Sequence, residues 1–223
     1  MSDYDEAVDV LAGELEALEV AVRALGPDEW ARTTRLVPFD PSTPRWDIKQ
    51  LVAHIDISIG LTQSLLDTEQ SGQPGRDRVS FFIADRSQVA PVVYDYAVAL
   101  ASEHTPESLC GKLAATFRQT IDGCRAHGPE TIGSGFFALM RLDEWVPTRT
   151  VEAVVHGLDV TDALGAACVA QPAGLSATAA ILDELLARRA VAGRPADLDD
   201  DLAFIRAASG RAEHPDPRLP LIV

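Results

Sequence analysis

Three side chains in this 223-residue sequence have the types and spacing needed to hold a metal ion. Glu152 and His156 stand four residues apart, so one helical turn brings both out on the same face. Val151, Val155 and Leu158 surround them, which makes that face at least partly buried. His54 lies in a second apolar-patterned stretch, among Leu51, Ile57, Ser58 and Leu61, and points inward. An unpaired buried carboxylate is costly. A cation shared by Glu152, His156 and His54 removes that cost. Two imidazoles and one carboxylate suit a divalent metal of the zinc type, and three protein ligands leave a position open for water or substrate. Each piece alone has a plainer reading. A lone histidine on an apolar face is usually a core histidine, and E-x-x-x-H is usually an exposed helical pair.

The neighbours of these residues carry alternatives of their own. Arg149, one turn before Glu152, is a candidate catalytic residue that holds a substrate carboxylate or orients Glu152; otherwise it is a surface base at a helix start. Asp159 either takes the free ring N–H of His156 or is a surface acid. Ser58 faces the pocket or bonds the backbone, while Asp56 points away from His54 and reads as solvated. His104, His127 and His214 read as surface residues, and Trp30, Trp46 and Trp145 as core or staple residues.

The elements that must position the triad are helices. Val8, Leu11, Leu15, Leu18, Val22 and Leu25 form a three-and-four stripe that ends at Gly26-Pro27. A second helix spans Trp46 to about Thr68, with Asp47 as N-cap, Gln50 completing a capping box, and Trp46 and Leu51 placed as a hydrophobic staple. Arg78 to Ala101 reads as one broken helix. Thr105-Pro106 opens the next, with Leu109, Leu113, Phe117, Ile121 and Cys124 on one side. Pro147 opens another that runs to Leu164-Gly165, and shorter helices follow over Leu175–Arg189 and Asp199–Ser209. There is no Asn-Gly hairpin signal, no repeat and no glycine-rich phosphate loop. The expected fold is all-α: an up-and-down four-helix bundle over residues 1–168, with a C-terminal helical extension over 169–223 packed on it.

Taken together, the two site-bearing stretches resemble a known family. Trp46-Asp-Ile-Lys-Gln-Leu51-Val-Ala-His54 is similar to the W-x-x-x-x-L-x-x-H signature of mycothiol-dependent maleylpyruvate isomerase-like proteins. Arg149-Thr-Val-Glu152-Ala-Val-Val-His156-Gly-Leu-Asp159 is similar to their R-x-x-E-x-x-x-H-x-x-D signature. The resemblance implies a DinB-like four-helix bundle. It implies His54, Glu152 and His156 as ligands of a divalent metal, usually zinc, and mycothiol, a low-molecular-weight thiol, as co-substrate. The isomerase itself carries a substantial C-terminal domain with a catalytic arginine; here the residues after Gly165 read as helix and tail. The expected function is therefore a metal-dependent thiol transferase or isomerase, in which the metal activates a thiol toward a small electrophilic substrate. The alternative is a non-catalytic metal- or ligand-binding bundle with a regulatory or stress role.

Composition narrows the partners. Thirty-four acids against 19 bases give a net charge of −15, which argues against nucleic acid and against an anionic membrane surface. No apolar run has the length of a membrane span, and the acidic N-terminus lacks a signal-peptide pattern. Cys110, Cys124 and Cys168 are odd in number and form no C-x-x-C pair, so neither a disulfide framework nor a cysteine-rich zinc site is expected. A cytoplasmic monomer or homodimer that binds a small thiol and a small electrophile is the expectation.

Overall fold

The long helices begin where the sequence offers an oxygen to their unpaired N–H groups. Ser2 and Asp5 form a capping box at the start of α1 (Asp3–Arg23), Asp47 and Gln50 at α2 (Ile48–Asp67), and Thr105 and Ser108 at α4 (Pro106–Ala126). The computed structural model describes residues 2–36, 43–83, 87, 89–136, 138–190 and 193–222. Within them lie a 3-10 turn at Ser80–Ile83, α3 (Ala90–Glu103), a short hairpin of β1 (Ile132–Ser134) and β2 (Leu139–Arg141), α5 (Leu142–Leu164), α6 (Pro172–Arg189) and α7 (Asp201–Ala208).

Helices α1, α4, α2 and α5 close a ring in which each packs on two others, giving the all-α, DinB-like bundle. Leu11, Leu15 and Leu18 of α1 meet Leu51, Ile55 and Ile59 of α2, Leu109 and Leu113 of α4, and Trp145, Val154 and Leu158 of α5 in one core. Outside the ring, α3 packs on α2, α6 on α5 and α1, and α7 on α6. Ile181, Leu182, Leu185 and Leu186 of α6 are buried, so α6 shares the bundle's core.

Three expectations need correction. Helix α5 starts at Leu142, five residues before Pro147, which lies inside it. Proline removes one backbone donor there. The preceding backbone compensates by anchoring the first turn: the N–H of Leu142 donates to Thr131 O at 2.8 Å and that of Asp143 to Pro129 O at 3.2 Å. Asp143 and Glu144 also complement the helix dipole. The hairpin, where only a break at Gly133-Ser-Gly135 was expected, pairs Ile132 with Arg141, Gly133 with Met140 and Ser134 with Leu139. Its three-residue strands are too short for alternation to show. Gly133 is required because a Cβ there would collide with the carbonyl of Leu65. The region 78–101 holds the 3-10 turn and α3 rather than one broken helix; residues 84–86 and 88 lie outside the described residues.

Candidate metal centre

Two facing helices carry the triad: His54 on the first third of α2, Glu152 and His156 mid-way along α5. Between the same two helices runs a ladder of polar ties. Trp145 Nε1 donates to Thr62 Oγ1 at 3.0 Å. Arg149 Nη1 donates to both the carbonyl and the hydroxyl oxygen of Ser58, each at 2.9 Å. At the next level His54 Nε2 stands 3.1 Å from His156 Nε2. The rising numbers on α5 pair with falling numbers on α2, as antiparallel neighbours must.

One donor atom each from His54, Glu152 and His156 lies within 4.8 Å of the others. Glu152 Oε2 is 3.3 Å from His156 Nε2, and both side chains are 12% exposed. The other ring nitrogen of His156, Nδ1, lies 2.9 Å from Asp159 Oδ2. With Nδ1–H given to that carboxylate, Nε2 turns its lone pair toward the Glu152 carboxylate and the His54 nitrogen. Three potential ligand atoms then face one point. Burial alone pulls the His156 pKa down, yet Asp159 and Glu152 hold it above the usual histidine value. Asp159 is held below the usual carboxylate range against the opposing effect of burial, by His156 and Arg211. A field that favours an imidazolium also favours a divalent cation, and two imidazoles with one carboxylate are zinc-type donors. The residues present therefore fit a divalent metal.

Trp46 covers the His54 side. Its ring centroid is 4.8 Å from that of His54, and Tyr94 of α3 stacks on Trp46 at 5.7 Å and 11°. The sequence marks Trp46 only as a core or staple residue; Tyr94 carries no signal that it reaches this point, because α3 is brought here by packing on α2.

The neighbouring residues sort themselves by burial. Arg149 is 1% exposed, so it is not a surface base. Its guanidinium lies over the Trp145 ring at 4.2 Å and the Phe81 ring at 5.1 Å, and its Nε donates to Thr148 Oγ1. Asp159 is 2% exposed and is a partner of His156, not a surface acid. Ser58 serves Arg149. Asp56 corrects its expected solvation: it is 3% exposed, accepts from Thr116 Oγ1 at 2.6 Å and pairs with Lys112 Nζ at 3.0 Å, tying α2 to α4. Helical phase does place it away from His54, but that side faces α4 instead of water. Among the described residues no helix is long and apolar enough to cross a membrane.

Comparison with curated proteins and with solved structures returns no match. The model of one family, described as the mycothiol maleylpyruvate isomerase N-terminal domain, matches residues 11–161. That span takes in the ring of four helices from mid-α1 onward and every side chain of the triad. With two thirds of its length matched and the helical ring in place, the chain belongs to the family of the mycothiol maleylpyruvate isomerase N-terminal domain.

Proposed function

We propose that this protein is a metal-dependent, mycothiol-dependent thiol transferase or isomerase acting on a small electrophile. The observation that carries the reading is the convergence of the His54, Glu152 and His156 donor atoms within 4.8 Å of one another. His54, Glu152 and His156 would hold the ion. A divalent cation bound there, zinc in our reading, supplies Lewis acidity that lowers the pKa of a thiol and makes its thiolate available near neutral pH.

The chain's own residues do the positioning. Asp159 accepts the His156 Nδ1–H and keeps Nε2 directed at the site. Trp46 and Tyr94 form an aromatic wall beside His54. Of the roles open to Arg149, its burial and its bonds to Ser58 support orientation of α5, and with it Glu152, over contact with a substrate carboxylate. The thiol, its proton passed to solvent, would attack an electrophilic carbon as thiolate. In transfer the adduct takes up a proton from solvent or a leaving group departs with its bonding electron pair; in isomerisation the thiolate is expelled again after rotation about the carbon–carbon bond.

The test uses purified protein, zinc and mycothiol. The protein should bind about one zinc ion per chain. His156→Ala should abolish binding, and His127→Ala, at the far end of α4, should leave it intact. Mycothiol should raise the melting temperature of zinc-loaded protein but not of metal-free protein. Calorimetry that finds zinc uptake without mycothiol binding would overturn the transferase reading in favour of a non-catalytic metal- or ligand-binding bundle.

A further inference from the structure

The carboxylate that orients His156 is itself held from a distant part of the chain. Asp159 Oδ2 accepts from Arg211 Nη2 at 2.7 Å, and Oδ1 accepts from Arg211 Nε at 3.0 Å, a two-pronged pair with side chains 3% and 10% exposed. Arg211 is delivered by the end of α7. Gly210, at φ 72°, turns the chain in the left-handed region. The Gly210 N–H donates to Ala207 O and the Arg211 N–H to Arg206 O, the paired bonds of a Schellman cap. The position of Arg211 therefore depends on α7 being folded and docked. A second two-pronged pair, Arg206 to Asp162 at 2.6 and 2.7 Å, joins the same helices one turn further along α5.

We propose that Arg211 is a positioning residue of the metal centre, and that docking of α7, which packs on α6 and is tied to α5 by the Arg206–Asp162 and Arg211–Asp159 pairs, is thermodynamically coupled to metal binding. This rests on the reading of His54, Glu152 and His156 as metal ligands. Arg211 fixes the rotation of the Asp159 carboxylate, which fixes the ring of His156 and the direction of its Nε2 lone pair. Partners in this position typically change metal affinity 10–100-fold. Linkage makes the effect reciprocal: a bound ion must hold α7 down by the same free energy that docked α7 lends to the ion.

The experiment compares zinc affinity, by competition with a chromophoric chelator, in full-length wild type, Arg211→Ala, Arg211→Lys and Arg206→Ala. Arg211→Ala should weaken zinc binding roughly 10–100-fold. Arg211→Lys should fall between, having the charge without the fork. Arg206→Ala removes an equivalent tie between the helices but leaves Arg211 on Asp159, so it should lower the melting temperature while weakening zinc binding far less than Arg211→Ala does, since α7 stays docked in the native state. Hydrogen exchange on the wild type needs no variant to fold: zinc should slow exchange across residues 201–212, since opening that left the site intact would not feel the ion. The inference is overturned if Arg211→Ala binds zinc like wild type or loses no more than Arg206→Ala. It is equally overturned if zinc leaves exchange over 201–212 unchanged. A wild type that takes up no zinc would overturn the metal reading as well, so the two failures are distinguishable.

Discussion

The carboxyl group of Glu14 on α1 occupies the space that a side chain at Gly174 on α6 would need: a Cβ at position 174 would collide with its Oε1 and Cδ. The same oxygen accepts the N–H of Gln171 at 2.7 Å, at the point where α6 begins. Gly174→Ala should therefore destabilise the fold by about 1–3 kcal/mol, even though alanine favours a helix by ~1 kcal/mol. Urea denaturation measures this. Adding Glu14→Ala to Gly174→Ala should recover part of the loss, which a double-mutant cycle would read as coupling.

Glu14 also gives the fold a pH dependence. Burial raises its pKa to about 7, against the opposing hydrogen bond from Gln171 N–H. A raised pKa means that the folded state prefers the protonated form. The associated stability is complete below the ordinary value of 4.5, declines as pH rises from there, and is gone above about 7. The full effect is on the order of 3 kcal/mol. Glu14→Gln, which cannot ionise, should gain stability relative to wild type between pH 5 and pH 8. Chemical denaturation of both proteins across that range checks it, and parallel curves would refute it.

Arg149→Ala removes a buried guanidinium, leaves the Ser58 carbonyl without that donor and opens space beside Trp145. A loss of about 2–4 kcal/mol is expected. Arg149→Lys should recover part of it, because an ammonium can reach one acceptor but cannot stack as a plane. If the Arg149 role is orientation of Glu152, zinc affinity should fall with stability in this series, whereas a substrate-holding residue would leave zinc affinity untouched.

Ending the chain after Leu164 should give an unstable or insoluble product. It would remove the buried Ile181, Leu182, Leu185 and Leu186 of α6, each worth roughly 1.5–3 kcal/mol, from a fold whose total stability is only about 5–15 kcal/mol. A soluble truncation that melts cooperatively would show α6 and α7 to be an independent appendage.

The separate members of the triad were legible from local signals, since helical periodicity places Glu152 beside His156 and an apolar face turns His54 inward, whereas the meeting of the two stretches was implied by the resemblance of their paired motifs. The capping boxes at Asp47 and Thr105 were legible for the same reason. What escaped was set by packing. Pro147 looks like a helix start because proline favours one, but backbone bonds donated by Leu142 and Asp143 to Thr131 and Pro129, just before the hairpin, hold five residues ahead of it in helix. Asp56 has a polar side chain on a face that looks free until α4 covers it. Arg211 pairs with an aspartate 52 residues away, and in a chain this rich in both arginine and acids no pattern selects that partner.

The ladder between α2 and α5 has a consequence for how this protein can vary. Thr62 with Trp145, Ser58 with Arg149 and His54 with His156 are successive rungs, so the two helices must keep both their relative height and their rotational phase. One residue inserted between His54 and Ser58 would turn His54 by about 100° and carry it off the facing helix, while the lower rungs stayed in place. These two helices can exchange side chains but not gain or lose a residue between rungs, so change in length is confined to the connections.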